Sequence, residues 1–275
     1  VARERAAGSE VKLALAGAAG RMGRTLVEAV LRSGDLALAA AIEAPGHAQL
    51  GRDAGEALGA TTGVALTADV AAAVAAADCL VDFTQPEATA GHVEACAAAG
   101  TAAVVGTTGF TAAQRERISA AAKRVPIVMA PNFAVGVNAV FKLAELAARI
   151  LGDGYDVEIV EAHHRHKVDA PSGTALRLGA AVAAALGRDL EACAVHGRSG
   201  ITGERDPRAI GFHAIRGGDI VGEHSVIFAG EGERVEVGVR SGSRMTYALG
   251  ALRAARWVRG KPPGLFDMFD VLGLK

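Results

Sequence analysis

The feature that most limits the fold is a short apolar run, Val11–Ala16, that ends on three glycines at intervals of three: Gly17, Gly20 and Gly23. A run this short and apolar reads as a buried strand. Residues 21–33 then place Met22, Leu26 and Val30 on one helical stripe. The alternation continues. Residues 36–42, 79–83, 102–105 and 127–129 are further strand-like runs, and helices are predicted over 69–77, 86–99 and 111–123. Pro86 suits a first helical position, where its missing N–H costs nothing. Strand and helix in alternation imply a doubly wound parallel sheet covered on both faces. Ligands of such sheets bind beyond the carboxyl ends of the strands. That draws attention to the loops 17–23, 43–44, 84–86, 106–109 and 130–133.

Gly17-Ala18-Ala19-Gly20-Arg21-Met22-Gly23 joins the first strand to the first helix. Its glycines permit a tight turn and let backbone N–H groups approach a pyrophosphate, while Gly23 allows close helix–strand packing. The spacing is GxxGxxG rather than the commoner GxGxxG, so the context strengthens the pattern more than the spacing does. Glu43 ends the second strand and is placed to accept hydrogen bonds from both adenosine ribose hydroxyls. The competing reading is an ordinary turn and a solvated carboxylate. Gly106-Thr107-Thr108-Gly109 would let a nicotinamide lie against backbone, or would be a plain Thr/Gly turn.

The second half reads differently. Helices over 134–151 and 173–186 flank a strand at 156–162, and three strand-like runs follow at 209–216, 219–229 and 234–240. Gly217 and Gly218, then 230–232, supply the turns between them. Successive strands imply a mixed or antiparallel sheet in a second α+β domain beginning near Phe133. A last helix over 245–259, ended by Gly260 with Pro262 and Pro263 behind it, returns to the first domain.

Hydrophobic residues make up 51% and charged residues 21%, a globular balance. With 29 Lys plus Arg against 30 Asp plus Glu, the chain carries no electrostatic footprint for nucleic acid or an anionic membrane. No apolar run is long enough to span a bilayer. Residues 1–10 are polar, lack a secretory signal and read as a loose tail. Cys79, Cys96 and Cys193 show no CxxC or zinc spacing. Cys79 and Cys96 read as core thiols, and a reducing, cytoplasmic compartment is expected.

The most informative stretch is Glu161-Ala162-His163-His164-Arg165-His166-Lys167-Val168-Asp169-Ala170-Pro171-Ser172-Gly173-Thr174, between a strand and a helix. Five successive basic side chains in a nearly neutral chain point to an anionic small molecule. Ser172 is placed to cap the helix, so that Gly173 and Thr174 offer backbone N–H groups to one carboxylate while Lys167 holds another. Histidine is the side chain best suited to give a proton near neutral pH. Two other readings stand beside this one. One is a metal site on His163, His164 and His166; the other is a solvated basic loop. No metal is expected, because adjacent histidines rarely share one ion.

These segments resemble the dihydrodipicolinate reductases. The resemblance rests on residues 20–23, 81–84, 105–110, 132–133, 161–175, 218–224, 243–245 and 264–268, nearly the whole chain after residue 10. It implies a Rossmann-type domain over 1–133, completed by the C-terminal segment 244–275. It also implies a substrate and oligomerisation domain over 134–243 whose open sheet builds a homotetramer. Carried over by position, His163 is the general acid/base and Lys167 the second catalytic residue. His164, Ser172, Gly173 and Thr174 contact a dicarboxylate substrate. Gly17, Ala18, Ala19, Gly20, Arg21, Met22, Glu43, Gly106, Thr107, Thr108, Ala130, Pro131, Asn132 and Phe133 contact NADH or NADPH. The implied reaction reduces 4-hydroxy-tetrahydrodipicolinate in lysine and diaminopimelate synthesis. Closure about hinges near 132–136 and 241–244 would keep water from the hydride. Ala44 stands where relatives often have an arginine, the natural partner of a 2′-phosphate, which tilts the expectation toward NADH. Gln85 and Val239 are further departures from the family pattern. A different reductase on the same scaffold fits the first half equally well but not the loop 163–174. A nucleotide-sensing module without chemistry would have lost His163 or Lys167.

Overall fold

The structure, a computed structural model, describes residues 10–275; the predicted tail lies outside them except for Glu10. Chain contacts divide it into two compact units, one running to Ala134 and resuming over Met245–Lys275, the other Val135–Arg244. In chain order the first unit contributes β1 (Val11–Ala16), α1 (Arg21–Leu31), β2 (Leu36–Ile42), β3 (Leu66–Thr67), α2 (Val70–Ala75), β4 (Cys79–Asp82), α3 (Pro86–Ala99), β5 (Ala102–Val105), α4 (Ala112–Ala122) and β6 (Pro126–Met129). The second unit holds α5 (Val135–Leu151), β7 (Asp156–His163), α6 (Gly173–Ala185), α7 (Leu190–Cys193), β8 (Ala194–His196), β9 (Ile210–Arg216), β10 (Gly222–Ala229) and β11 (Arg234–Ser241). The chain then re-enters the first unit with α8 (Met245–Val258), β12 (Gly264–Phe266) and α9 (Met268–Leu272).

The first unit is a seven-stranded parallel sheet in the order β12-β6-β5-β4-β1-β2-β3. The direction of winding reverses between β1 and β4, the point where doubly wound sheets take their ligands. Alternation along the strands sorts side chains to two cores. Leu13, Leu15, Val81, Val104 and Val128 pack with Leu26 and Val30 of α1 and with Ala248, Ala251, Leu252 and Ala255 of α8. Ala14, Leu80, Ala103, Val105 and Ile127 pack with Val93 and Cys96 of α3 and Ile118 of α4. Each fully buried leucine contributes about 2 kcal/mol, so removal of any one is a core defect. Cys79 and Cys96 lie one in each core. Burial raises the Cys79 thiol well above its ordinary value and pushes Cys96 up to about 12.

Local signals set the helix ends. Asp69 caps α2, and Thr111 forms a reciprocal capping box with Gln114 on α4. Strand β12, which pairs in parallel with β6, was not legible as a strand because it is only three residues long. No helix among the described residues is long and apolar enough to cross a membrane.

The second unit carries a mixed five-stranded sheet, ordered β11-β10-β7-β9-β8. Strand β10 runs antiparallel to β7 and β11, while β7, β9 and β8 are mutually parallel neighbours. The glycines at 230–232 do close a hairpin, but Gly217 and Gly218 do not join paired strands, because β7 lies between β9 and β10. Their backbone groups go elsewhere. Gly217 N–H donates to the carbonyl of His163, and the carbonyl of Gly218 accepts from Arg165 N–H. The turn is thus spent on the end of β7 and the loop behind it. Helices α5 and α6 cover one face of this sheet.

Candidate active site

The glycine loop of the first unit is shaped first by its own backbone. Gly17 adopts φ +66°, and the N–H groups of Gly17 and Ala18 donate to the Ile42 carbonyl at 2.9 and 3.2 Å. Gly23 sits so close beneath the turn that a Cβ there would lie 2.0 Å from the Gly17 carbonyl oxygen. Gly20 is the N-cap of α1, and no side chain caps that helix end. A helix N-terminus built this way presents N–H groups and a positive dipole end to an anion. Glu43 folds back on the loop, accepting from Ala19 N–H at 2.8 Å and from Ala44 N–H at 3.2 Å. Arg24 Nε donates to the Ala19 carbonyl at 2.9 Å, while Arg21 is exposed. Ala18 is buried and Met22 packs on the core, so those two have only backbone to offer a ligand.

The loops after β4, β5 and β6 follow one another along the same carboxyl edge. A Cβ on Gly106 would collide with the Phe83 ring at 2.1 Å, and that ring meets Phe133 edge-on at 5.5 Å between centroids. Thr107, Ala130 and Phe133 are buried, whereas Thr108 and Pro131 are exposed. The buried three therefore shape the edge with their side chains. Asn132 is partly exposed, and its Oδ1 accepts from Ala134 N–H at 2.9 Å. Gln85 takes the N-cap of α3 without a side-chain cap bond, and Val239 lies 3.0 Å from the point where a Cβ on Gly136 would stand.

In the second unit the period of two along β7 puts Glu161 and His163 on one face. The register then chooses their neighbours. His224 of β10 lies opposite Glu161, and Arg216 of β9 lies opposite His163. Glu161 is 1% exposed. Its carboxylate accepts from both terminal nitrogens of Arg216 at 2.8 and 2.6 Å, and from Ser172 N–H at 3.1 Å. It also meets Nδ1 of His163 at 2.5 Å. An imidazole nitrogen facing an ionised carboxylate carries a proton, so Nε2 is the ring nitrogen left to take up or release a second one. Ser172 caps α6, its Oγ accepting from Ala175 N–H at 3.2 Å and lying 3.1 Å from Nε2 of His224. The rings of His163 and His224 meet edge to face at 5.1 Å.

The five basic positions do not all converge. Arg165 and His166 are exposed, while His163, His164 and Lys167 are partly buried. A sharp turn at the end of β7 leaves the middle of the run in solvent. Lys167 pairs with Asp169 at 2.8 Å. Gly173 is exposed at the start of α6, with open space where a Cβ would stand. Among the described residues no group of three or more His, Cys, Asp or Glu side chains is placed to hold a metal ion.

Charge and burial oppose each other here. Burial lowers His163 below the ordinary imidazole range, Glu161 pushes it back up, and Lys167 and Arg216 lower it again. Burial works to raise the Glu161 carboxyl, but Arg216 and His163 outweigh it and hold the group below its usual value. His224 is pushed down to about 4, first by burial and then by His163. The sign for stability follows. Between pH 4 and 6.5 the unfolded chain binds a proton at His224 that the folded chain refuses, so stability falls as pH drops through that window. The expected loss is about 3 kcal/mol over the full interval. Melting temperatures from pH 7 to 4.5 check it: His224→Gln should flatten the acid limb, and a profile parallel to that of the unaltered protein would refute a neutral His224.

Glu161, Arg216 and His224 are functional candidates that sequence reasoning missed. The signal for Glu161 was the Glu-x-His spacing inside a strand; that for Arg216 and His224 was strand pairing, which no local pattern reveals.

A parallel sheet with an uncapped, glycine-bounded helix start in one unit and a Glu161–His163 pair in the other is an arrangement that suits a nucleotide-dependent oxidoreductase. Comparison with known proteins agrees with that class and narrows it. The family model described as dihydrodipicolinate reductase, N-terminus, matches residues 11–133, and the one described as dihydrodipicolinate reductase, C-terminus, matches 136–272. The chain belongs to the dihydrodipicolinate reductase family. It is 63% identical over 265 residues to the 4-hydroxy-tetrahydrodipicolinate reductase of Thiobacillus denitrificans, covering 96% of this chain and 99% of the relative. It is 62% identical to that of Aromatoleum aromaticum, covering 96% of each. In fold it is similar to the dipicolinate-bound dihydrodipicolinate reductase of Paenisporosarcina sp. TG-14, with a TM-score of 0.75, 24% identity, and coverage of 95% of this chain and 98% of that one.

Proposed function

We propose that this chain reduces 4-hydroxy-tetrahydrodipicolinate to tetrahydrodipicolinate with NADH or NADPH, the step of lysine and diaminopimelate synthesis that the family name implies. The observation that carries the reading is the pairing of buried Glu161 with partly buried His163, beside the Ser172-capped start of α6. The first unit fits a pyridine nucleotide: the Gly17–Gly23 contact leaves room for backbone only, and the start of α1 lacks a side-chain cap. Gly17 to Met22 would cradle the pyrophosphate, Glu43 the adenosine ribose, and the loops 106–108 and 130–133 the nicotinamide end. When bound, the reduced nucleotide supplies a hydride. The protein must supply the rest: bind two carboxylates, exclude water and deliver one proton while a water leaves the substrate. Lys167 would exchange Asp169 for one substrate carboxylate, and the N–H groups of Gly173 and Thr174 would hold the other, with His164 alongside. Bound carboxylates would raise His163 toward its acid form, and Nε2 would then deliver the proton to the reduced ring.

The same reading places the protein in a reducing cytoplasm, as the buried free thiols Cys79 and Cys96 favour. It makes it a homotetramer joined through the face of the five-stranded sheet that carries Glu223, Ser225 and Ile227, the partly exposed set on β10. Ala44 removes a partner for a 2′-phosphate, so NADH should serve at least as well as NADPH. A coupled assay that supplies the condensation product of pyruvate and aspartate semialdehyde tests both points. Nicotinamide absorbance should fall with either cofactor. No turnover with this substrate would sink the assignment, and a strong NADPH preference would sink the tilt.

A further inference from the structure

A second buried carboxylate lies in the first unit, and the chemistry above makes no use of it. Asp82 closes β4 with 0% exposure. An ionised carboxylate only accepts, so donors must converge on it. Oδ1 accepts from Thr84 N–H at 2.8 Å, from the Thr84 hydroxyl at 2.6 Å and from the Thr89 hydroxyl at 3.1 Å. Oδ2 meets Nδ1 of His92 at 2.7 Å. The Thr89 hydroxyl also lies 3.2 Å from that of Thr84 and 2.8 Å from that of Thr107, so it links both to Asp82.

The hydrogen bonds therefore connect the loop after β5, through α3, to the end of β4. The main chain repeats the link, because Gly106 N–H donates to the Asp82 carbonyl at 2.8 Å. Thr84 also borders the glycine loop, since a Cβ on Gly17 would lie 2.9 Å from its Cγ2. All this sits at the strand-order reversal between β1 and β4. A carboxylate buried without exposure is costly, and a hydrophobic core needs none at this point. What it achieves is to tie two loops, 83–85 and 106–109, to one rigid strand end.

We infer that Asp82, acting through Thr89 and Thr107, is a positioning residue for the nicotinamide half of the cofactor, by a route separate from the one that reaches the glycine loop through Thr84. The inference rests on the proposed reading of the 106–108 loop. The test uses Thr89→Val, which keeps the shape and removes the hydroxyl, and Thr89→Ser, which restores it. Dissociation constants are measured by calorimetry for NADH and for ADP-ribose, which lacks the nicotinamide. Thr89→Val should bind NADH about tenfold more weakly, the effect of one lost buried hydrogen bond. ADP-ribose should bind within about twofold of the unaltered protein, and Thr89→Ser should recover NADH affinity. Parallel losses for both ligands would mean general disruption and overturn the proposal, as would unchanged NADH affinity in Thr89→Val. Failure of the cofactor reading looks different: the unaltered protein would bind neither NADH nor NADPH, and the proposal would fall with it.

Discussion

Glu161→Gln is expected to cut turnover about a thousandfold near pH 8. His163 starts below the ordinary imidazole range because burial and the nearby cations disfavour its charge, and Glu161 is what raises it. A neutral amide removes that support while leaving Lys167 and Arg216 in place. The ring then falls further below the ordinary imidazole range, and losing most of its acid form costs about a hundredfold, the lower end of what a positioned general acid supplies. Glutamine also offers an N–H where the carboxylate offered only lone pairs, so it favours the ring with its proton moved off Nδ1. Misdirected tautomers add roughly another factor of ten. Two measurements check this. The pH–rate profile should move its optimum to lower pH, and circular dichroism should show a folded protein. Native turnover with an unmoved profile would show that the carboxylate is there only to neutralise Arg216.

The second large effect is on the nucleotide. In Gly23→Ala the new methyl carbon would lie 2.0 Å from the Gly17 oxygen and 2.6 Å from Ala18 Cα. Both neighbours are backbone, so neither can rotate away. Alanine would otherwise favour the helix by about 1 kcal/mol. The collision outweighs that gain and forces the start of α1 away from the turn. Affinity for NADH should fall about a hundredfold, near 3 kcal/mol, and the melting temperature should drop as well. Gly20→Ala is the control, because a Cβ there meets the Gly17 oxygen at 3.1 Å, a contact a small shift relieves. Equal NADH affinity in the two variants would dissociate the loop from nucleotide binding.

What the sequence disclosed follows from the range of the forces involved. The parallel strands β1, β2, β4, β5 and β6 were legible because each is a short apolar run bounded by glycine or a helix signal. Ser172 as the cap of α6 was legible for the same local reason, and its Oγ does accept from Ala175 N–H. Pairing was not legible. Nothing near Gly217 and Gly218 says that β7 intervenes between the strands they join. The same gap hid the partners of His163, because Arg216 and His224 reach it only through strand register. The run 163–167 misled in the opposite way. Adjacency in sequence suggested one cationic cluster, whereas the turn after β7 exposes Arg165 and His166.

Strand β12 and helix α8 have a consequence for how the protein is made. The sheet that begins with Val11 is finished by residues 264–266, and Ala248, Ala251 and Leu252 seal one of its faces. A ribosome therefore releases the second unit, contiguous in sequence, before the first can close. Until the end of the chain emerges, β6 presents an open edge, the kind of surface on which nascent chains stick to one another. The inserted unit begins and ends beside a tight crossing, where a Cβ on Gly250 would lie 1.7 Å from the Phe133 carbonyl oxygen. That crossing lies within the first unit, close to the two points where the chain leaves it and returns.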